Sequence, residues 1–300
     1  IPEIGMDKRR YAYEMSRFNP SQAENFKKTY SRVNEDFKKR YPTMTAKDKM
    51  KWKYQRYMQD YLGTIKAVDE NVGRLLDYLE ANHLMENTII VYTSDQGFYL
   101  GEHGWFDKRF VYDQSFKTPL LIAWPGRTKP GSRSDELVQN LDFAQTFLDA
   151  AGVKAPSDMQ GASLVPLLKG DSKQWTRKGV YYHYYEYPAE HMVNRHYAIV
   201  TKDYKLIHYY YVEDQWELID RNKDPKELKN VYNDPAYAKI KNELHLQLDE
   251  LRKKYKDNEK LSQGYVNKLM EDASQGKVFG VSKEKVQDIK ARRAKVVSNK

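Results

Sequence analysis

A run of four apolar residues, Ile89, Ile90, Val91 and Tyr92, follows a long stretch of helical periodicity and is flanked on both sides by polar residues. Short, continuous and rich in β-branched side chains, it reads as a strand covered on both faces. Before it, Tyr57, Tyr61, Leu62, Ile65, Val68, Val72, Leu75, Leu76 and Leu79 recur at steps of three and four, a stripe suited to packing against a sheet. Helical patterning extends from about residue 20 to 84, interrupted at Tyr41, Pro42 and Thr43. A second apolar run over 119–124 stops at Pro125 and Gly126, and a helix over 141–151 closes at Gly152. Helix, buried strand, loop and helix in alternation predict an α/β fold with a mostly parallel sheet between helices.

After Gly179 the text changes character. Strand-like runs over 180–187, 196–201, 204–211 and 216–219 are separated by gaps as short as Lys202 and Asp203, which predicts antiparallel hairpins. An amphipathic helix over 235–254 follows, with Ile240, Leu244, Leu248 and Leu251 on one face. The expected organisation is an α/β region over residues 1–177, a smaller α+β subdomain over 178–256, and a basic helical or frayed tail over 257–300.

The net charge of +9 is concentrated in that tail, where fourteen Lys and Arg face six Asp and Glu from residue 251 onward. The first 250 residues therefore carry only +1, and neither a zinc-finger spacing nor an RNP-type aromatic sequence accompanies the basic segment, so nucleic acid is not an expected partner. No apolar run approaches the length needed to span a bilayer. With no cysteine in the chain, disulfides, thiolate metal sites and a cysteine nucleophile are excluded from it. The opening Ile1, Pro2 and Glu3 follow neither an initiator Met nor a signal peptide, and the expectation is that this sequence is a fragment from the interior of a longer frame.

In open α/β sheets ligands gather beyond the carboxyl ends of strands. The run ending at Tyr92 delivers Asp95 and Gln96 to such an edge, ahead of a glycine-punctuated loop holding Glu102, His103, Asp107, Lys108 and Arg109. A carboxylate beside an amide carbonyl suits a hard divalent cation such as calcium or magnesium, although two oxygen ligands are far from the six to eight of a calcium shell. Taken alone, Asp-Gln-Gly is more often a capped turn than a metal site, and an isolated histidine or lysine is more often structural or solvated.

The whole string is more particular. Tyr92 to Gly97, then Gly101, Glu102, His103, Gly104, Trp105 and Lys108, followed by Thr118, Pro119, Leu120, Trp124, Pro125 and Gly126, resembles the second signature of the formylglycine-dependent sulfatases. Asp60, Tyr61, Ala67, Val68, Asp69 and Val72 resemble the helix before that signature, and Lys205 to Ile207 with Trp216, Glu217, Leu218, Asp220, Asp224, Pro225 and Asn230 resembles the family's C-terminal subdomain. The resemblance implies an alkaline phosphatase-like fold, Asp95 and Gln96 as calcium ligands, Lys108 as a catalytic contact to the sulfate group, and His103 and Arg109 near the substrate. It also implies a formylglycine nucleophile made from a Cys or Ser in a Cys/Ser-x-Pro-x-Arg motif, which these residues lack, so the chain alone is expected to be inactive.

Ten of the 25 tyrosines and four of the seven histidines fall between residues 181 and 211, in the part that borders the substrate pocket in this family. Aromatic faces with cationic donors suit sulfated sugars, and His191, Arg195 and His196 are the expected contacts; tyrosines alternating on a half-buried pleat would account for the aromatics equally well. The wording around Asp95 to Arg109 is most similar to bacterial carbohydrate sulfatases acting on glycosaminoglycans, such as those cleaving N-acetylglucosamine 6-sulfate, which implies a sulfated carbohydrate substrate and a periplasmic or extracellular setting. Two alternatives stay open: a phosphatase or phosphonate hydrolase of the same superfamily, disfavoured by Gln96 where a histidine ligand is expected, and a noncatalytic protein that binds anionic glycans.

Overall fold

The computed structural model describes residues 12–298 apart from 14 and 190. The start of the expected first region and the last two residues of the expected tail lie outside the described residues. The chain divides into two compact units, residues 1–86 and 87–300.

The first unit is a helical hairpin. Helix α1 (Pro20–Arg40) opens with a capping box in which Asn19 accepts from the Gln22 amide and Gln22 accepts in return from that of Asn19, with Pro20 at the first turn. Its last turn carries Lys38, Lys39 and Arg40, which favour the negative end of the helix dipole. A 3-10 turn at Tyr41–Thr43, where proline breaks the helix, leads to α2 (Ala46–Ala81), capped by Thr45. Phe37 stacks on Trp52 with ring centroids 4.2 Å apart, joining the end of α1 to the start of α2. Helix α2 has no buried residue; of its apolar stripe, Tyr57, Tyr61, Val72, Leu76 and Leu79 are half-buried and Leu62, Ile65, Val68 and Leu75 exposed.

The second unit begins with β1 (Ile90–Thr93), β2 (Tyr99–Leu100), β3 (Phe106–Asp107), the short helix α3 (Asp113–Phe116) and β4 (Leu120–Ala123). Strands β1 and β4 pair antiparallel, Ile90 opposite Ala123 and Thr93 opposite Leu120. The class is α/β as expected, and this one strand pair within it is antiparallel. The excursion between the two strands contains no helix longer than four residues, too short to cross a sheet face, so the chain returns beside β1 in the opposite direction. Nor are these strands covered on both faces, since Tyr92 is 43% and Leu121 60% exposed. Helices α4 (Asp142–Ala150) and α5 (Val165–Leu168) follow.

Strands β5 (Val180–Tyr184), β6 (His196–Val200), β7 (Tyr204–Tyr209) and β8 (Gln215–Asp220) form the expected antiparallel sheet in sequential order. The β6–β7 turn is the Lys202–Asp203 pair, closed by Thr201 and Tyr204. Side chains alternate across this sheet. Val180, Ala198, Val200, Ile207 and Tyr209 join Tyr99, Val111 and Tyr112 in one core, while Tyr197, Ile199, Leu206 and Leu218 pack with Leu244 and Leu248 of α6 (Ala238–Lys254) on the other face.

The basic C-terminal segment forms α7 (Glu259–Ser274) and α8 (Lys283–Ser298). Helix α8 is not merely solvated: Ile289 is buried with Tyr187 and Val212, and Val286 with Ala273 and Val281. Arg293 donates to the Tyr211 carbonyl at 3.0 Å.

Candidate functional site

The end of β1 is fixed by side chains. Thr93 Oγ1 donates to the Pro119 carbonyl at 2.9 Å, and Ser94 Oγ to the Gln96 carbonyl at 2.8 Å. Gly97 passes so close to the backbone that a Cβ there would stand 2.1 Å from the Gln114 carbonyl oxygen. A side chain at this position would push β1 and α3 apart.

Beyond Gly97, β2 and β3 form a small hairpin, Tyr99 opposite Asp107 and Leu100 opposite Phe106. Its turn uses positive φ at Gly101, His103 and Gly104. Asp107 and Arg109 also have positive φ, 77° and 105°, so Lys108 sits between two residues held where side-chained residues are disfavoured. Lys108 is half-buried and its ammonium has no partner among the described residues.

Ser115, almost fully buried, joins the two ends of this loop. Its hydroxyl accepts from the Arg109 amide at 3.0 Å and from Gln96 Nε2 at 3.3 Å, while its carbonyl accepts from the Gly97 amide at 2.9 Å. Using Gln96 Nε2 in this way leaves Gln96 Oε1 as the free end of that amide. Asp95 beside it is exposed. The pair therefore offers a carboxylate and an amide oxygen, a hard donor set that fits part of a calcium or magnesium shell. Among the described residues no group of three His, Cys, Asp or Glu could hold a metal by itself.

Arg109 and His191 meet over Asp107. Arg109 NH1 lies 2.5 Å and His191 Nδ1 3.5 Å from Asp107 Oδ2, and the Arg109 carbonyl accepts from Tyr182 Oη at 2.5 Å. The structure thus brings Lys108, Arg109 and His191 into one neighbourhood, with Gln96 joined to it through Ser115.

The other three expected substrate contacts lie elsewhere. His103 stacks on Trp105 and on Tyr112, with ring centroids 5.6 and 4.6 Å away, and its Nε2 is enclosed without a protein partner, so the ring packs within the loop. Arg195 is fully buried; Nε donates to Tyr210 Oη at 2.9 Å, NH1 to the Tyr185 carbonyl at 2.7 Å and NH2 to Ser262. It pins α7 to the sheet, and a substrate would have to displace those bonds. His196 is also fully buried, beneath Phe110 and beside Tyr182, Tyr184 and Tyr209. Nδ1 donates to the Asn194 carbonyl at 2.8 Å, and burial pushes the imidazole down to about 4, so it is neutral at pH 7. Both lie one or two positions from the half-buried Asn194, and strand alternation alone does not tell an inward from an outward residue in a sheet covered on both faces.

Two residues outside the expected set turn out to matter. Ser115 carries no spacing signal of its own. Asp113 is gripped by Lys205 Nζ at 2.9 Å and by Arg221 NH2 at 2.6 Å, and its amide donates to Glu227 at 2.6 Å. Burial works against its charge, but Lys205 and Arg221 outweigh that and hold its carboxyl below the usual range. Lys205, with no exposed surface, also reaches Glu227 at 2.5 Å and the Val111 carbonyl at 2.8 Å. This ion-pair knot fastens the segment after Arg109 to β7.

Comparison with known proteins follows the same residues. A family model described as "N-sulphoglucosamine sulphohydrolase, C-terminal" matches residues 101–254, and one described as "Sulfatase" matches 8–153. An N-acetylglucosamine-6-O-sulfatase of Bacteroides thetaiotaomicron is 56% identical over 219 residues, covering 72% of this chain and 39% of that protein. A solved sulfated-sugar complex, described as holding its substrate D-glucosamine-2-N,6-O-disulfate, superposes with a TM-score of 0.78 at 49% identity, covering 84% of this chain and 51% of the other. A phosphonate monoester hydrolase of Agrobacterium radiobacter superposes with a TM-score of 0.61 at 25% identity, covering 68% and 42%. The chain therefore spans between about two fifths and one half of the length of these proteins.

Proposed function

Because this chain belongs to the sulfatase family, we propose that it supplies the metal-facing and sulfate-facing loop of an enzyme that hydrolyses sulfate esters of amino sugars, N-acetylglucosamine 6-sulfate foremost. The observation that carries this reading is the Ser115 hydroxyl, which holds the Gln96 amide and the Arg109 amide on one atom and so makes the metal-ligand end of β1 and the Lys108–Arg109 segment a single unit. The names of the Bacteroides relative and of the solved sugar complex support the choice of substrate.

Asp95 and Gln96 would hold a calcium ion, which when bound supplies positive charge next to the sulfuryl oxygens. Lys108, with its unpartnered ammonium, is the group that stabilises negative charge developing on the sulfate and on the departing sugar oxygen. Arg109 and His191, held together by Asp107, border the sugar side. The 300 residues contain neither a cysteine nor a Cys/Ser-x-Pro-x-Arg motif, so the nucleophile is not among them. A periplasmic or extracellular location goes with this reading; among the described residues no helix is long and apolar enough to cross a membrane.

The phosphonate hydrolase likeness keeps a second ester class in view, but an amide oxygen at Gln96 favours a hard cation over the transition metals that imidazole ligands select. The deciding experiment compares release of sulfate and of phosphate from matched sugar esters by the enzyme carrying this sequence, with Asp95→Ala and Lys108→Ala beside it. Asp95→Ala is expected to lower calorimetric calcium affinity and sulfate release together, and Lys108→Ala to cut turnover at least a hundredfold with calcium binding kept. Preference for the phosphate ester, or normal turnover in either variant, overturns the assignment.

A further inference from the structure

The β5–β8 sheet separates two sides of the second unit. Ala198 and Val200 face the core shared with the 94–116 loop, whereas Ile199 faces α6. On the Ile199 side, between α6 and the segment over 162–179, lies a cavity of about 440 Å³. That volume falls within the range of small-molecule sites. None of the residues lining it belongs to the 94–116 loop.

Its walls combine two rings held in place with charges left free. Trp175 is fixed by its Nε1 donating to the Leu137 carbonyl at 3.1 Å, and Tyr255 by accepting from Gln139 Nε2 at 3.1 Å. Arg177 is already taken by Asp142 at 2.5 Å. Lys178 and Lys254 are exposed, and neither makes an ion pair among the described residues; Lys254 Nζ stands 5.4 Å from the Tyr255 ring centroid. Glu250, one helical turn before Lys254, is exposed and likewise unpaired.

Of the two rings, Trp175 already carries the Arg177 guanidinium 4.9 Å from its centroid and Tyr255 stacks on Tyr181 at 6.0 Å, so each can offer no more than one side to the C–H face of a pyranose ring. Two free ammoniums pair with sulfate or carboxylate groups, and a single carboxylate accepts sugar hydroxyls. We propose that this cavity is a second binding site, for an anionic saccharide, on the face of the sheet opposite the 94–116 loop. It holds a glycan without taking part in ester cleavage, so it stands or falls separately from the proposed reaction.

The test is calorimetric titration of the chain with a heparin hexasaccharide at 0.15 M salt, in a Lys108→Ala background that weakens any contribution of the loop. Lys178→Glu with Lys254→Glu is expected to weaken binding at least tenfold. Lys229→Glu with Lys239→Glu, an equal change of net charge at exposed positions outside the cavity, is expected to cost less than twofold. The Trp175 indole N–H resonance, assigned through Trp175→Phe, should shift and saturate with the same Kd. Equal weakening by the two double variants would reduce the effect to long-range attraction by a basic protein and overturn the site, as would an unmoved Trp175 signal. Equal binding of a neutral chitin hexasaccharide would overturn the requirement for an anion.

Discussion

The Lys205 ammonium is fully withdrawn from water, and its three oxygen partners account for why it tolerates that position. Asp113, Glu227 and the Val111 carbonyl surround it at 2.5 to 2.9 Å. Removing one member of a buried ionic group strands the others, at a cost of about 3–5 kcal/mol. Lys205→Met is therefore expected to lower unfolding free energy by about that amount, read from urea midpoints; a loss below about 1 kcal/mol would mean that the carboxylates find other partners. Because the knot fastens Val111 and Asp113, the same variant should loosen the segment that follows Lys108 and Arg109, which quickened hydrogen exchange of the Arg109 amide would report. At this scale the sequence was only partly legible. Asp95, Gln96 and Lys108 stood out because their residue types and spacing match a family signature, and Arg109 and His191 do come to the same loop. Arg195 and His196 did not, since whether a polar residue in a strand points to water or to a buried partner depends on what covers each face. Nothing in the local text announced Ser262 as the partner of Arg195, or Ser115 as the tie between Gln96 and Arg109.

Among the elements, α8 shows how a compositional reading falls short. Its charge pattern marks it as solvated, and one side is, but Val286, Ile289 and Arg293 recur at helical steps: Val286 packs with Ala273 and Val281, and Ile289 and Arg293 make contact with the loops around Tyr187 and Tyr211. Ile289→Ala is expected to cost about 2–4 kcal/mol, the usual range for emptying a buried aliphatic site, and to expose the C-terminal helix to limited proteolysis before the sheet is cut. Unchanged protease resistance would show that α8 is held by its other contacts alone. The boundaries of β5 to β8 and of α6 were legible to within a few residues, because alternation and a 3.6-residue stripe are local signals. The pairing of the two apolar runs in the first part was not. The apolar runs ending at Tyr92 and Trp124 say that strands exist there, but the antiparallel pairing is set by a connection lacking a crossover helix, and the lack of cover on Tyr92 and Leu121 depends on neighbours distant in sequence.

For the whole molecule, acid should be felt first through buried imidazoles. Burial holds His196 down to about 4 against 6.5 for a free side chain, and it lowers His183 as well, against the pull of Asp257. Between those values the unfolded chain takes up a proton that folded His196 refuses, so this contribution to stability is complete above about pH 6.5 and is lost as pH falls towards 4. Unfolding free energy is expected to drop by about 2 kcal/mol from pH 7.5 to 5.0 on account of His196, and His196→Phe should flatten that part of the profile. An unchanged pH slope in the variant would assign the acid sensitivity to other groups. Asp257, pulled down to about 2 by His183, Tyr181 and Tyr185 against its burial, acts in a separate window below pH 4. The two-sided cover of β6 also bears on how such a chain can change length over generations. Inserting or deleting one residue between His196 and Val200 would send Ala198 and Val200 towards α6 and Ile199 towards the loop, exchanging two cores in one step. Homologous genes should therefore vary freely in length around residues 127–136 or 154–160, where the chain is exposed and irregular, while keeping the spacing from His196 to Asp220 unbroken.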